Sequence, residues 1–361
     1  MALGRVDRHR RKRERTRAKR SLWVYGDRHR PLYAIEGHVK AQLILSLLLL
    51  AACPAPALDT DTDTDTDSGT SEPLDPPEGD AATVELAGDC ALTDHYGEFT
   101  ISDFDTYTVV DGAVTNGVVP VTITPEVSAE GDCRLLVRNN PFCEGGCAPD
   151  ETCDFDGICL PYPEAQDLGQ VTVAGLRVDV RMDPVQPGFR YFNTSLPHPA
   201  FEAGDLLQLR ADSAEDGAFD LHGIGVEPLV MPASEWLMAR GVDMQVAWTP
   251  AAGRAHVQLA MRIDQHGASP ATVFCDFDDD GNGTIPAAIV DDLIDAGVTG
   301  FPSGSLSRRT VDNAQTGGGC VDLITQSQRT PSVRVSGFTP CNSQDDCPEG
   351  LTCDTVNQVC E

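Results

Sequence analysis

Beyond residue 52 the chain contains no lysine. Its 13 cations there are arginines, set against 52 carboxylates, for a net charge of −39 over 309 residues. A polyanion of this density is repelled by DNA, RNA and anionic headgroups, because binding to them relies on Lys and Arg neutralising phosphate. Nucleic acid is thereby excluded as a partner. Aromatic residues are scarce, at 6%. Long apolar runs are scarcer still: the clearest, Ala41 to Ala52, has 12 residues, well short of the roughly 20 that a spanning helix requires. Catalytic signatures are missing too. There is no H-E-x-x-H and no G-x-S-x-G, and His95, His198, His222, His256 and His266 stand isolated in sequence, which reads as surface or core filler. Carboxylates are so abundant that finding a pair of them says nothing about glycosidase chemistry. Trp236 and Trp248 read as buried anchors on strands before they read as a sugar-stacking platform.

What is present begins with an address. The apolar stretch AQLILSLLLLAA follows Lys40 and closes on small residues before Cys53, the layout of a signal-peptide core. Leu50-Ala51-Ala52-Cys53 resembles the lipobox of bacterial lipoproteins, which implies lipidation at Cys53, export, and anchoring in the cell envelope, at the outer membrane. Residues 1–52 thus form a basic extension plus a signal peptide, and a start at Val39 would give a compact lipoprotein signal. Residues 53–80 carry nine acidic groups and no basic one, with Asp-Thr alternation and many prolines. Such a segment buries too little apolar surface to offset ordering entropy, and self-repulsion extends it, so it reads as a disordered acidic tether.

Setting Cys53 aside leaves twelve cysteines, an even number in an exported chain, the arithmetic of disulfides. Eight lie in two short clusters. Cys143, Cys147, Cys153 and Cys159 occupy residues 141–162, and Cys341, Cys347, Cys353 and Cys360 occupy residues 339–361. Thr152-Cys153-Asp154 aligns with Thr352-Cys353-Asp354, and Ile158-Cys159 with Val359-Cys360, so the clusters are an internal repeat. A module of about 20 residues is too small to hold itself by a core and needs covalent staples. Zinc is the competing use, but neither cluster has paired C-x2-C knuckles. Three pairings stay open in each module. Cys90, Cys133, Cys275 and Cys320 are most simply joined as Cys90 with Cys133 and Cys275 with Cys320.

These clusters resemble the short Cys-rich repeats, similar to the Dickkopf amino-terminal type, of secreted myxobacterial lipoproteins. Over residues 130–338 the resemblance extends to a family of surface lipoproteins of those bacteria. It is carried by CRLLVRNNPFCEGGCAPDETCDFDGICLPYPEAQDLGQVTVAGL, FEAGDLLQLRA, VAWTP, VFCDFDDDGNGTIPAAIV and Arg308. It implies a β-sandwich ectodomain and no activity.

Alternation and β-branched content independently predict an all-β chain, an immunoglobulin-like or jelly-roll β-sandwich. Strands are expected near 99–101, 106–110, 118–124, 133–137, 170–182, 206–210, 244–248, 255–263, 272–274 and 332–335. MQVAWTPAAGRAHVQLAMRID reads as a hairpin. A small β region over 81–140 and a sandwich domain over 163–338 are expected. One helix should start at Pro286, bury Ile289, Val290, Leu293 and Ile294, and end at Gly297. Asp276, Asp278, Asp280 and Asn282 suggest a calcium loop, although both registers lack the Glu at position twelve. No other cofactor is implied. The functional expectation is a non-enzymatic binding, adhesion or envelope-structural protein with a protein or glycan ligand. The alternative is a surface hydrolase acting on polysaccharide or peptide.

Overall fold

The computed structural model describes residues 72–212, 217–265, 268–296, 302–356 and 358–361. The signal segment, Cys53, most of the acidic stretch, His266 and Gly297 lie outside these.

The chain opens with β1 (His95–Asp103), β2 (Thr108–Val114), β3 (Glu126–Glu130) and β4 (Cys133–Val137). The first Cys-rich module holds β5 (Glu151–Cys153) and β6 (Cys159–Pro161). Then come β7 (Val171–Ala174), β8 (Val180–Met182), β9 (Tyr191–Asn193), β10 (Leu206–Ala211) and β11 (Phe219–Ile224). The next four are β12 (Glu235–Met238), β13 (Met244–Ala247), β14 (His256–Gln265) and β15 (Ala268–Asp278). β16 (Asn282–Ile285) leads into α1 (Ala287–Asp295). β17 (Pro302–Gln315), β18 (Cys320–Arg329) and β19 (Ser332–Val335) close the main body, and β20 (Cys353–Asp354) and β21 (Val359–Cys360) lie in the second module.

Eleven of these strands make one sheet in the order β3-β4-β15-β14-β17-β18-β1-β2-β9, with β19 and β12 added beside β17. β1 runs parallel to β18 and β12 parallel to β19; the other pairs are antiparallel. Two structures cover one face of this sheet. The four-stranded sheet β11-β10-β7-β8 packs over the β18-β1-β2 half, enclosing Phe99, Ile101, Leu207, Leu209, Leu221 and Leu323. The β13-β16 pair and α1 cover the other half, enclosing Leu135, Val257, Leu259, Met261, Val273 and Phe277. Helix α1 buries Ile289, Val290, Leu293 and Ile294, as their spacing predicts, with Pro286 as its N-cap. Each fully buried side chain of this size contributes roughly 1.5–3 kcal/mol. The result is an all-β sandwich, the expected class, with two small disulfide-rich modules.

A polar seam separates the two apolar clusters. On the covered face of β17 and β18 lie Arg308, Thr310, Asp312, Thr325 and Ser327, all buried. They face the segment after β11, which crosses the sheet from one cluster to the other. A crossing strand of chain with no ladder partner must find hydrogen bonds elsewhere. Thr310 Oγ1 accepts from Ile224 N at 3.2 Å and donates to Ile224 O at 3.0 Å, and Ser327 Oγ accepts from Leu229 N at 3.0 Å. Arg308 Nη1 donates to the carbonyls of Glu227 and Pro228, both at 3.1 Å, and Nη2 to that of Thr249 at 2.6 Å. The same guanidinium grips Asp279 by two bonds, at 2.6 and 3.0 Å, and Trp248 Nε1 donates to Asp279 at 2.7 Å.

The structure corrects several expectations. Cys90 pairs with Cys320 and Cys133 with Cys275, not with the sequence neighbours proposed. Register explains this, since β4 lies beside β15 with Cys133 directly opposite Cys275. Both modules share one connectivity, first to third and second to fourth: Cys143–Cys153 with Cys147–Cys159, and Cys341–Cys353 with Cys347–Cys360. The expected hairpin is absent because β13 pairs with β16 while β14 pairs with β15 and β17. Residues 118–124 hold a 3-10 turn at Pro120–Thr122, where two prolines nearby disfavour a ladder. The run 170–182 is broken into β7 and β8. Residues 81–140 form no unit of their own, since β1 to β4 belong to the main sheet. The acidic tether also ends before residue 80. Leu74 N donates to Asp179 at 2.7 Å, Arg181 donates to the Glu72 carbonyl, and Glu78 N donates to Gln208 at 2.9 Å, which straps residues 72–80 along the small sheet.

Asp279→Ala leaves Arg308 buried without its carboxylate, a situation that costs about 3–5 kcal/mol. The expected readout is a clear fall in the urea midpoint of the full chain. An unmoved midpoint would show that the pair does not hold the seam together.

Candidate functional site

The pleat gives the eleven-stranded sheet a second face, and that face carries alternate residues of the same strands. Arg308 and Leu306 point into the core, so Ser305, Ser307 and Arg309 point out. By the same register Gln258, Ala260 and Arg262 on β14, and Asp322, Ile324, Gln326 and Gln328 on β18, share this side. Glu98 and Thr100 extend it on β1, Phe274 and Asp276 on β15, and Arg134 on β4. Together they line an open trough of about 930 Å³. Its lining is mainly hydroxyl, primary amide and charge.

Asp89 to Leu92 form one wall, with Thr122 and Thr124 opposite. The first wall is held by a covalent bond and by several hydrogen bonds. Cys90 is bonded to Cys320, Gly88 N donates to Val311 O at 3.2 Å, Cys90 N donates to Asp322 at 2.9 Å, and Ala87 N donates to Asp312 at 2.9 Å. Arg309 spans the trough floor between Asp89 at 3.1 Å and Asp276 at 3.5 Å. Several polar side chains are already oriented. Gln326 Nε2 donates to Ser102 Oγ at 2.9 Å, and Gln258 Nε2 donates to Asp276 at 3.1 Å. Such fixed donors and acceptors lower the ordering cost of binding a polar ligand.

At one end of the trough, Asp322 is buried beside His95, with Nε2 to Oδ2 at 3.5 Å. Burial pushes the Asp322 carboxyl up to about 6; the Cys90 N–H and His95 oppose this, and the charges of Asp89 and Glu98 add to it. His95 is therefore not isolated. Two more histidines repeat the arrangement on the covered side: His198 lies 3.1 Å from buried Asp103, and His222 lies 4.0 Å from buried Asp312. His256 sits on the open face opposite Arg309.

The proposed calcium ligands do not converge. Among the described residues, the groups of three or more Cys, His or carboxylate donors within 4.8 Å of one another all contain disulfide cysteines. Asp276, Asp278 and Asp280 belong to none of them. Asp276 is engaged by Arg309, Arg134 and Gln258. Asp280 accepts from Asn282 N at 3.2 Å and closes the turn between β15 and β16. The member of that acidic run that braces the fold, through Arg308 and Trp248, is Asp279, the one residue of the triplet that a calcium-loop spacing skips. Disulfide bonding of all twelve described cysteines leaves no thiolate for zinc. Trp236 and Trp248 are buried, so neither offers a sugar-stacking surface.

No protein-family model matches the chain, and no curated protein matches it. Among solved structures it aligns with the crystal structure of chicken CNTN1 FN1-FN3 domains at 6% sequence identity and a TM-score of 0.18. The alignment spans 58% of this chain and 66% of that one, too slight a likeness to inform the site.

A carboxyl whose folded pKa is raised binds its proton more tightly in the native state. Stability from Asp322 is therefore present below about pH 4 and lost as pH rises through about 6. Asp322→Asn keeps an acceptor for Cys90 N and removes this titration. Relative to wild type, its melting temperature should gain from pH 4.5 to pH 7.5. A difference that stays flat across that interval would contradict the burial of this charge.

Proposed function

We propose that this chain is an exported lipoprotein, anchored through Cys53 at the outer membrane, whose head is a non-enzymatic binding module. Its ligand is a polyhydroxylated chain, a glycan, lying across the open polar face. The observation that carries the reading is the trough itself. Ser305, Ser307, Thr100, Gln258, Gln326 and Gln328 each offer both donor and acceptor on one sheet face with neighbouring strands roughly 4.8 Å apart. The anchor is supported by the Leu50-Ala51-Ala52-Cys53 sequence and by six disulfides, which suit an oxidising compartment. No helix among the described residues is long and apolar enough to cross a membrane. Asp276 serves this reading as an ion-pair partner in the trough wall, so calcium should not alter binding.

A second reading, a polysaccharide hydrolase, is favoured by one observation: Asp322, with its carboxyl near 6, stands beside Glu98 in the same trough. A carboxyl that holds its proton, set next to a second carboxyl group, is the minimum for glycoside hydrolysis.

Calorimetric titration of the full chain with soluble oligosaccharides from bacterial envelopes and capsules separates the two. Binding that falls at least tenfold in the Gln258→Ala plus Gln326→Ala variant, without release of reducing ends, supports the binding module. Reducing ends released near pH 5–6 and lost in Asp322→Asn would replace it with the hydrolase. Absence of both would refute the glycan assignment. Independently, mass spectrometry of the membrane fraction should find a processed chain beginning at acylated Cys53, and Cys53→Ser should abolish it.

A further inference from the structure

The two Cys-rich modules are repeats with the same disulfide connectivity, yet they stand in different surroundings. In the second, Gln358 and Val359 line a small apolar cleft with Pro302, Val333, Val335 and Phe338 of the main body, beside Arg334. That module is docked within its own chain. In the first module the corresponding strand meets solvent. Ile158, the counterpart of Val359, is 56% exposed, Leu160 is 41% exposed and Tyr162 is 54% exposed.

Leu160 lies in β6 and Ile158 and Tyr162 flank it, with the pairing carried on by Asp154 N to Ile158 O at 2.9 Å and Tyr162 N to Asp150 O at 2.8 Å. The three alternate on one side, while Cys159 and its partner across the ladder, Cys153, take the other side toward Cys143 and Cys147. The disulfides thus fix an outward apolar stripe on a module too small to bury it. Around the stripe, residues 141–162 carry Glu144, Asp150, Glu151, Asp154 and Asp156 and no basic residue.

We propose that this stripe is a docking surface for a separate protein, and that the partner presents apolar side chains flanked by arginine or lysine. The docked repeat supplies the pattern, since its own binding surface is apolar with an arginine at the rim. Charge narrows the occupant. A second copy of this chain brings another strongly acidic surface, and anionic lipid is repelled by the five carboxylates. A cationic, partly apolar protein segment satisfies both the stripe and its rim. The inference stands apart from the trough and does not depend on what the trough binds.

The test uses the full chain and a synthetic 12-residue peptide alternating Arg with Leu and Phe, compared with a 12-residue poly-Arg peptide, by fluorescence anisotropy at 0.15 M salt. One variant carries Ile158→Ser, Leu160→Ser and Tyr162→Ser. The control carries Val178→Ser, Leu237→Ser and Val242→Ser, which are exposed apolar positions elsewhere. Both keep the wild-type charge. The expected result is at least a tenfold loss of the mixed peptide in the first variant, little change in the control, and equal poly-Arg binding throughout. Equal mixed-peptide affinity in all three proteins would overturn the proposal, because charge alone would then account for binding. So would stripe-dependent retention on phosphatidylglycerol vesicles, which would make the stripe a membrane contact.

Discussion

The sandwich depends on one buried charge pair. Arg308 emerges from the middle of the longest strand, 1% exposed, and all five of its hydrogen bonds go to groups that have no ladder partner or to Asp279. A buried ion pair is a poor source of net stability, because desolvation consumes most of its attraction. Its role here is architectural. Two apolar clusters under one sheet must be joined by a stretch of chain that belongs to neither, and the backbone of that stretch would otherwise be stranded. Thr310, Ser327 and Arg308 satisfy it from below, and Trp248 holds Asp279 in position from the other side.

This arrangement decides which face of the sheet is left over. With both covering structures on the Arg308 side, the alternate residues face outward along the middle of the sheet, and they are serines, glutamines and arginines. The Cys90–Cys320 bond then fences one side. The fence and the polar floor share residues: Asp322 accepts from the wall at Cys90 N and also faces the trough beside His95. Its titration is therefore coupled to how firmly the wall is seated.

The fold class was legible because alternation in β13, β14 and β19 is clean, and α1 announced itself through Pro286 and four apolar residues at helical spacing. The centre of the sheet was not. β17 reads PSGSLSRRTVDNAQ and β18 reads CVDLITQSQR. Both carry polar residues on both faces, one set for the seam and one for the trough, so no period of two survives in them. Two of the disulfide pairs are illegible for a related reason, since cysteines separated by 230 and 142 positions meet only through strand order. Asp279 carries no signal of its own in sequence, because the carboxylates at alternate positions match a calcium spacing while Asp279 lies between them and points the opposite way, toward Arg308. The tether boundary was missed because composition cannot reveal that Glu72, Leu74 and Glu78 have partners on the small sheet.

The strap over residues 72–80 and the bond at Cys90 also determine how the head bears load. Tension applied from upstream of residue 72 first meets a strap held by the hydrogen bonds of Leu74, Glu78 and Arg181, by the Arg210–Glu78 ion pair, and by Arg254 on the Ala81 and Val84 carbonyls. It then reaches a covalent stop. Cys90 passes the pull to Cys320 at the start of β18, which lies parallel to β1 at the centre of the sheet. Beyond that point the pull enters the body at β18 and is shared along its parallel ladder with β1, and it no longer falls on the contacts of residues 72–90 alone.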